Sequence, residues 1–202
     1  MRRDCNRARA LQYAAGGPAA SSAGGEMRRV AGLLGRLFGR ADRDALAPLY
    51  QAIVATARRP VWYRSGGVPD TLDGRFDMVA AILSLVLLRL EREGEAGRGP
   101  SARLAELFVD DMDGQLRQAG IGDIVVGKHI GRMMSALGGR LGAFRDAFGP
   151  SGDLDGAIAR NLYRGAVPAP GAAAVLRDGL IALRETLAAT PAREILAGAW
   201  RA

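Results

Sequence analysis

The succession of apolar and polar residues predicts a chain of helices arranged around one central helix. From Met78 to Leu88 only Ser84 interrupts the apolar run, and a helix that is apolar on every side belongs in the middle of a bundle or in a bilayer. At about 1.5 Å per residue the run extends roughly 16 Å, which is about half of a hydrocarbon core. Because Asp77 and Arg89 close it at both ends, we predict a central core helix and not a membrane span.

Helical spacing of apolar residues predicts further helices on both sides of this run, separated by turns rich in Gly and Pro. No segment shows the sustained alternation that is typical of strands. We therefore predict an all-α fold, a single-domain helical bundle of about six to eight helices. Besides the central helix, the predicted helices cover residues 44–59, 101–119, 123–148, 153–165, about 175–187, and 190–200.

The helix predicted over 123–148 combines a regular apolar stripe with many glycines. Its apolar residues alternate spacings of four and three, as in a coiled-coil seam. Glycine makes a helix poor in isolation, so we expect this one to be held by tight packing against neighbours or to bend near Gly138. The glycines are Gly127, Gly131, Gly138, Gly139 and Gly142.

Three acids lie close together in the helix predicted over 101–119. At about 100° per residue, Asp110 and Asp113 fall on the solvent side, whereas Asp111 falls on the apolar side. A buried carboxylate needs a partner. Two interpretations remain open: a core arginine such as Arg75 pairs with Asp111, which we favour, or another molecule docks on that face.

Composition separates a basic front end from a nearly neutral body. The chain has a net charge of +7, and Lys128 is its single lysine. Residues 27–64 carry eight arginines against two aspartates, a net charge of +6, and residues 65–202 carry −1. Such a front end can contact membrane phosphates, RNA or an acidic partner. The single cysteine, Cys5, cannot form an internal disulfide, so we expect a reducing, intracellular compartment.

The front end divides into two parts before the helical domain predicted over residues 44–202. Residues 1–26 are rich in Ala, Gly and Ser and are predicted to be a disordered tail or an upstream extension. A targeting signal is the alternative, because these residues also contain arginines. Residues 27–43 form a basic amphipathic segment. It either lies in a membrane interface or packs as a first helix on the bundle.

Residues with catalytic potential are sparse. Asp110, Asp111 and Asp113 resemble the carboxylates that hold magnesium in helical prenyl-transfer enzymes, but a matching acidic set is missing. His129 has no cysteine near it, which argues against zinc binding and histidine–cysteine catalysis. The glycines between Gly120 and Gly131 follow a helix and lack the lysine of a phosphate loop. An enzyme with a carboxylate site is therefore the least favoured class, and no cofactor or metal is expected.

Several motifs together resemble the ubiquinol–cytochrome c chaperone family. In order they read LYQAIVATARRPVWY, GVPDTLDGRFDM, DDMD, GIGDIVVGK and ARNLYRG, and they span residues 49–165. The resemblance implies an all-helical, non-enzymatic factor that assists assembly of the cytochrome bc1 complex. Mitochondrial members of this family bind newly made cytochrome b, work with a small partner protein, and associate with the ribosome and the inner membrane.

The resemblance also implies which residues take part. The expected partners are cytochrome b or bc1 assembly intermediates, with the ribosome or the inner-membrane surface as further contacts, and no DNA. The signature residues either fix a loop on the core helix or contact the client. The residues expected on the basic contact face are Arg28, Arg29, Arg36, Arg40, Arg58, Arg59 and Arg64, and the signature residues are Asp70, Thr71, Asp73, Arg75, Asp77 and Asp111.

The location expected from the resemblance is the bacterial cytoplasm, peripheral on the cytoplasmic face of the inner membrane. Two features depart from the family pattern, namely the glycine-rich helix over 124–142 and the segment over 167–202, which contains no matching motif. A helical adaptor that binds RNA or a membrane surface is the alternative function, and charge by itself does not separate the two.

Overall fold

The computed structural model describes residues 40–118 and 123–200. In these two ranges the chain forms helices and turns and contains no strand, which confirms the predicted all-α fold. Residues from Ala41 onward belong to one compact unit. The helices are α1 (Arg40–Ala57), α2 (Pro60–Arg64), α3 (Leu72–Glu91), α4 (Glu95–Gln118), α5 (Asp123–Ala147), α6 (Leu154–Asn161), α7 (Ala172–Ala189) and α8 (Ala192–Leu196).

Helix α3 is the centre of the bundle, as the apolar run predicts. Every residue from Asp77 to Leu87 is buried, and α3 packs against α4, α5 and α7. Ser84, the polar interruption, is satisfied within the helix because its hydroxyl donates to the Ala80 carbonyl at 2.7 Å. Each fully buried Leu, Ile or Val contributes about 1.5–3 kcal/mol by leaving water. Among the described residues, no helix combines the length and hydropathy needed to cross a bilayer.

Two helices begin earlier than predicted. Helix α1 starts at Arg40 instead of Asp44, so Pro48 lies inside the helix and not in its first turn. Helix α4 starts at Glu95 instead of Ser101 and contains Pro100. The early start of α4 depends on Gly97, where a Cβ would lie 2.0 Å from the Leu90 carbonyl oxygen.

Four glycines of α5 face open space and not the close neighbours that tight packing would require. At Gly131, Gly138, Gly139 and Gly142 a Cβ would meet no atom within 4 Å. Tight packing therefore does not explain these four glycines. The helix is held from its opposite side, where Leu137, Phe144 and Ala147 are buried.

The C-terminal helices follow the predicted stripes. In α7, the buried residues Leu176, Leu180, Leu183 and Leu187 form the core side. Gly179 of the same helix faces the ring of Trp62, where a Cβ would lie only 2.5 Å from the ring. The last helix is shorter than predicted: α8 ends at Leu196, and Trp200 packs against the core beyond its end.

The predictions for residues 1–39 lie outside the described residues. They concern the tail over 1–26, most of the amphipathic segment over 27–43, and the contact residues Arg28, Arg29 and Arg36. The backbone of Arg40 belongs to α1, but its side chain also lies outside the described part, as does the side chain of His129.

Candidate functional site

The loop between α2 and α3 and the first two turns of α3 carry five of the six signature residues, and hydrogen bonds fix the loop at both ends. Thr71 precedes α3, and its hydroxyl oxygen accepts from the Gly74 amide at 3.1 Å, as an N-cap does. At the other end, the Tyr163 hydroxyl donates to the Gly66 carbonyl at 2.6 Å. Gly67 has a φ of 66°, which favours glycine. The loop is therefore attached to α3 and to the chain that follows α6.

Two carboxylates and two guanidinium groups form the Asp77 cluster at the start of α3, in which Asp77 and Arg140 are buried whereas Asp73 and Arg164 are exposed. Asp77 is fully buried and accepts hydrogen bonds from Arg140 of α5 and from Arg164, which follows α6. The Arg164 Nε donates to one Asp77 oxygen at 2.7 Å, and its Nη1 donates to Asp73 at 2.8 Å. The two carboxylates and two guanidinium groups carry no net charge together, so the buried charge of Asp77 is compensated.

Burial and pairing act in opposite directions on the two arginines. Burial lowers the pKa of Arg140, and the neighbouring Asp77 carboxylate partly offsets this effect. The hydrogen bond to Asp77 raises the pKa of Arg164, which is half exposed. Arg140 also lies over the Phe76 ring at 5.4 Å, while its Nε has no hydrogen-bond partner in the described ranges. Both guanidinium groups are thus held in place chiefly by Asp77.

Arg164 has an unusual backbone conformation. Its φ is 53°, in the left-handed region, and it is the one non-glycine residue of the described ranges found there. An L-residue in this region costs roughly 1–2 kcal/mol. The turn formed with Gly165 directs the Arg164 side chain back to Asp73 and Asp77. The final two residues of the ARNLYRG motif are thereby connected to the GVPDTLDGRFDM motif.

Sequence reasoning missed Arg140 and Arg164 as members of this cluster, although a signal existed for each. Arg140 lies three residues after Leu137 and four before Phe144, so helical spacing places it on the buried side of α5. Arg164 lies within a motif that carried the family resemblance. A pattern in one segment does not reveal which distant carboxylate such an arginine meets.

The other signature residues divide between surface and core. Asp70 and Arg75 form an exposed ion pair at 2.7 Å, with side chains 59% and 58% exposed. The pairing lowers the pKa of Asp70, chiefly through the hydrogen bond from Arg75. Asp73 is also exposed. Of the aspartates in the loop and the first turns of α3, Asp70 and Asp73 are therefore exposed and only Asp77 is buried.

Asp111 has partners other than the one expected. It is half-buried on α4 and accepts from the Tyr50 hydroxyl at 2.8 Å and from the Gln115 side-chain amide at 3.1 Å. The expected pairing with Arg75 is wrong, because Arg75 is exposed and bonds to Asp70. Burial, followed by the charge of Asp111 and this hydrogen bond, raises the pKa of Tyr50.

Exposed large apolar side chains concentrate around the loop. In the described part of the chain there are four: Val61, Leu72, Val167 and Val175. Val61 and Leu72 flank the loop in sequence. Val167 adjoins Pro168, which lies 3.7 Å from a Cβ built at Gly67, and Val175 lies one turn from Gly179, which faces Trp62. We call these four residues the apolar rim.

Arginines of the predicted contact face lie beside the apolar rim in sequence. Arg58, Arg59 and Arg64 are exposed at the end of α1 and in and around α2. The Arg59 guanidinium lies over the Trp62 ring at 6.0 Å. The described residues contain no group of three or more His, Cys, Asp or Glu side chains able to hold a metal ion. The arrangement is therefore suited to binding another molecule through apolar and cationic contacts.

Comparison with known proteins gives two matches. The model of the family described as ubiquinol–cytochrome C chaperone matches residues 64–202. The crystal structure of the Cbp3 homolog from Brucella abortus is similar, with a TM-score of 0.64 and 27% sequence identity, over 86% of this chain and 92% of the other. No curated protein matches the chain.

Proposed function

Because the chain belongs to the ubiquinol–cytochrome c chaperone family, we propose that it assists assembly of the cytochrome bc1 complex by binding newly made cytochrome b. The likeness to the Cbp3 homolog from Brucella abortus supports this role. The proposed function involves no catalytic step and no cofactor. Cytochrome b or a bc1 assembly intermediate is the client.

The observation that carries the proposal is the apolar rim around a fixed loop. A client with unassembled apolar helices needs an apolar contact surface, and large exposed apolar side chains are typical of such surfaces. The rim is positioned by the Tyr163–Gly66 hydrogen bond and by the Asp77 cluster. In this proposal Thr71, Asp77 and Asp111 position the chaperone surface, and Asp70, Asp73 and Arg75 border it.

The arginines extend the same surface toward anionic partners. Arg58, Arg59 and Arg64 are exposed, and a basic residue near an anionic membrane contributes about 1 kcal/mol to binding. With Arg28, Arg29, Arg36 and Arg40 they would hold the chaperone at the cytoplasmic face of the inner membrane or at the ribosome, where a new membrane protein emerges.

A capture experiment tests the client. A tagged chain is recovered from membranes of the native host in mild detergent, and cytochrome b is quantified by immunoblotting. We expect wild type to recover cytochrome b, and the Leu72→Asp/Val175→Asp double variant to recover several-fold less. An Ala102→Asp variant, at an exposed position on α4, is the matched control and should behave as wild type.

The alternative adaptor function predicts another result. Exposed arginines can bind RNA without a protein client, and such binding weakens steeply with salt. Recovery of ribosomal RNA alone, lost in an Arg58→Glu/Arg59→Glu/Arg64→Glu variant and retained in the apolar-rim variant, would replace the chaperone proposal. Normal bc1 levels in a deletion strain would also contradict it.

A further inference from the structure

A second surface lies away from the apolar rim, where α3, α5 and α7 come together. It is an open cleft of about 240 Å³. Its apolar lining includes Leu85 and Leu88 of α3, Phe148 after α5, and Leu187 of α7. Its polar lining consists of Glu185 and of four arginines, Arg89, Arg92, Arg145 and Arg184. We call it the arginine cleft.

Two of the four arginines are already engaged. Arg89 donates to the carbonyl oxygens of Leu187 at 2.9 Å and Thr190 at 3.1 Å, and it also pairs with Glu93. Arg145 pairs with Glu91 at 2.5 Å. These two arginines shape the cleft, and their charge is matched by carboxylates of the same chain.

The other two arginines have no carboxylate partner among the side chains that the structure describes. Arg184 lies over the Phe148 ring, with its guanidinium carbon 4.8 Å from the ring centroid. Arg92 is exposed at the end of α3 and forms no ion pair with a described residue. Arg92 and Arg184 thus lie beside the apolar lining of the cleft without a carboxylate partner. This combination attracts an anionic group that is attached to an apolar one.

The composition of the cleft favours a protein segment as its occupant. Glu185 is exposed in the same lining, and its carboxylate can accept a hydrogen bond from the backbone amide of a bound peptide, a donor that a lipid phosphate lacks. A space of this size holds one or two apolar side chains and not a pair of acyl chains. The basic segment of this chain over residues 27–43 carries the wrong sign of charge.

We propose that the arginine cleft binds a segment of a partner protein in which a carboxylate side chain adjoins a large apolar side chain. Arg92 and Arg184 receive the carboxylate, and Leu88 with Phe148 receives the apolar group. The inference rests on the proposed function only in that a chaperone binds other proteins, and it holds whether or not cytochrome b is the client.

Model peptides test the proposal directly with the full chain. The probe is a fluorescein-labelled peptide of alternating Asp-Glu and Leu-Phe pairs, and its counterpart has Lys-Lys in place of Asp-Glu. By fluorescence anisotropy we expect the acidic peptide to bind and the lysine peptide not to bind. The Arg92→Glu/Arg184→Glu variant should bind the acidic peptide at least ten-fold more weakly.

Matched variants separate the cleft from general charge and folding effects. Arg160→Glu reverses an exposed arginine at the end of α6 and should retain binding. Ala188→Trp fills the cleft without changing its charge and should reduce binding about as much as the double reversal. Ala182→Trp, at another exposed alanine of α7, should not reduce it.

Three outcomes would overturn the inference. They are an absence of acidic-peptide binding, equal binding of the lysine peptide, and equal loss in the Arg160→Glu control. Vesicles of phosphatidylglycerol that bind wild type but not the Arg92→Glu/Arg184→Glu variant, while the acidic peptide binds both, would assign the cleft to a membrane. Because cytochrome b recovery is scored separately, the chaperone proposal can fail while this inference stands, and the reverse.

Discussion

At the scale of single residues, Asp77 has the largest structural consequence. It is fully buried, and it is the carboxylate that Arg140 and Arg164 share. Removing one partner of a buried ion pair leaves the other charge uncompensated, which costs far more than the net worth of the pair. Most of this cost would fall on Arg140, because its side chain is 10% exposed while that of Arg164 is 50% exposed.

We expect Asp77→Ala to lower the free energy of unfolding by about 3–5 kcal/mol. Urea denaturation followed by circular dichroism at 222 nm measures the change. Asp73→Ala is the control, because Asp73 is an exposed partner of the same arginine and should cost at most about 1 kcal/mol. Equal losses in the two variants would mean that burial of Asp77 has no special weight.

Tyr50 should make the protein sensitive to alkali. Burial and the neighbouring Asp111 carboxylate raise its pKa above the ordinary value of 10.0. The folded protein therefore holds the phenolic proton more tightly than the unfolded chain does. This contribution to stability is complete below pH 10 and is lost as the pH rises toward the folded pKa.

Tyr50→Phe removes that contribution together with the hydrogen bond to Asp111. We expect the variant to lose about 1 kcal/mol at pH 8. From about pH 10 to pH 11 its free energy of unfolding should fall less than that of wild type. Urea unfolding at the three pH values tests this, and parallel curves for the two proteins would contradict it.

Asp111 shows what the sequence can and cannot predict about a single residue. Periodicity places Asp111 on the apolar side of α4, where a carboxylate needs a hydrogen-bond partner. It does not identify the partner, because Tyr50 is brought to Asp111 by the packing of α1, a contact between residues 61 positions apart. The same reason explains why Arg140 and Arg164 were not assigned to Asp77.

At the scale of elements, α5 contains glycines that its own packing does not need. Gly138 and Gly142 have open space where a Cβ would stand, and glycine in a helix costs about 0.8–1 kcal/mol relative to alanine. We expect Gly138→Ala and Gly142→Ala each to raise the free energy of unfolding by about 0.5–1 kcal/mol. Thermal and urea unfolding provide the measurement.

Gly179→Ala should have the opposite effect. A Cβ there would lie 2.5 Å from the buried Trp62 ring, so we expect the free energy of unfolding to fall by the cost of overpacking, about 1–3 kcal/mol. If the α5 substitutions also lowered the free energy of unfolding, the prediction would be wrong and the α5 glycines would be needed for packing.

The helices themselves were largely predictable, whereas some of their starts were not. The apolar run of α3 is nearly unbroken and the apolar stripe of α7 is regular, so the buried residues of both helices follow from the sequence pattern. Pro100 and the glycines around it predicted a connector, but Gly97 allows α4 to begin close against the Leu90 carbonyl. This close approach between the end of α3 and the start of α4 overrides the helix propensities of the individual residues.

At the scale of the whole molecule, α3 sets the order of stability. It contacts α4, α5 and α7, so its backbone is exposed only when the bundle opens as a whole. We expect the amides from Val79 to Leu87 to show the slowest hydrogen exchange, and those near Val167, which is 95% exposed, to exchange quickly. Mass spectrometry of exchanged peptides tests this order, and early exchange in α3 would contradict the central role of this helix.

Arg89 connects α3 to the end of α7. Its guanidinium donates hydrogen bonds to two carbonyl oxygens there. If α7 moved along α3 by one turn, about 5.4 Å, both oxygens would lose their donor. The two helices are therefore expected to move together as one rigid unit. Any change in the width of the arginine cleft would then come from movement of Phe148, which follows α5.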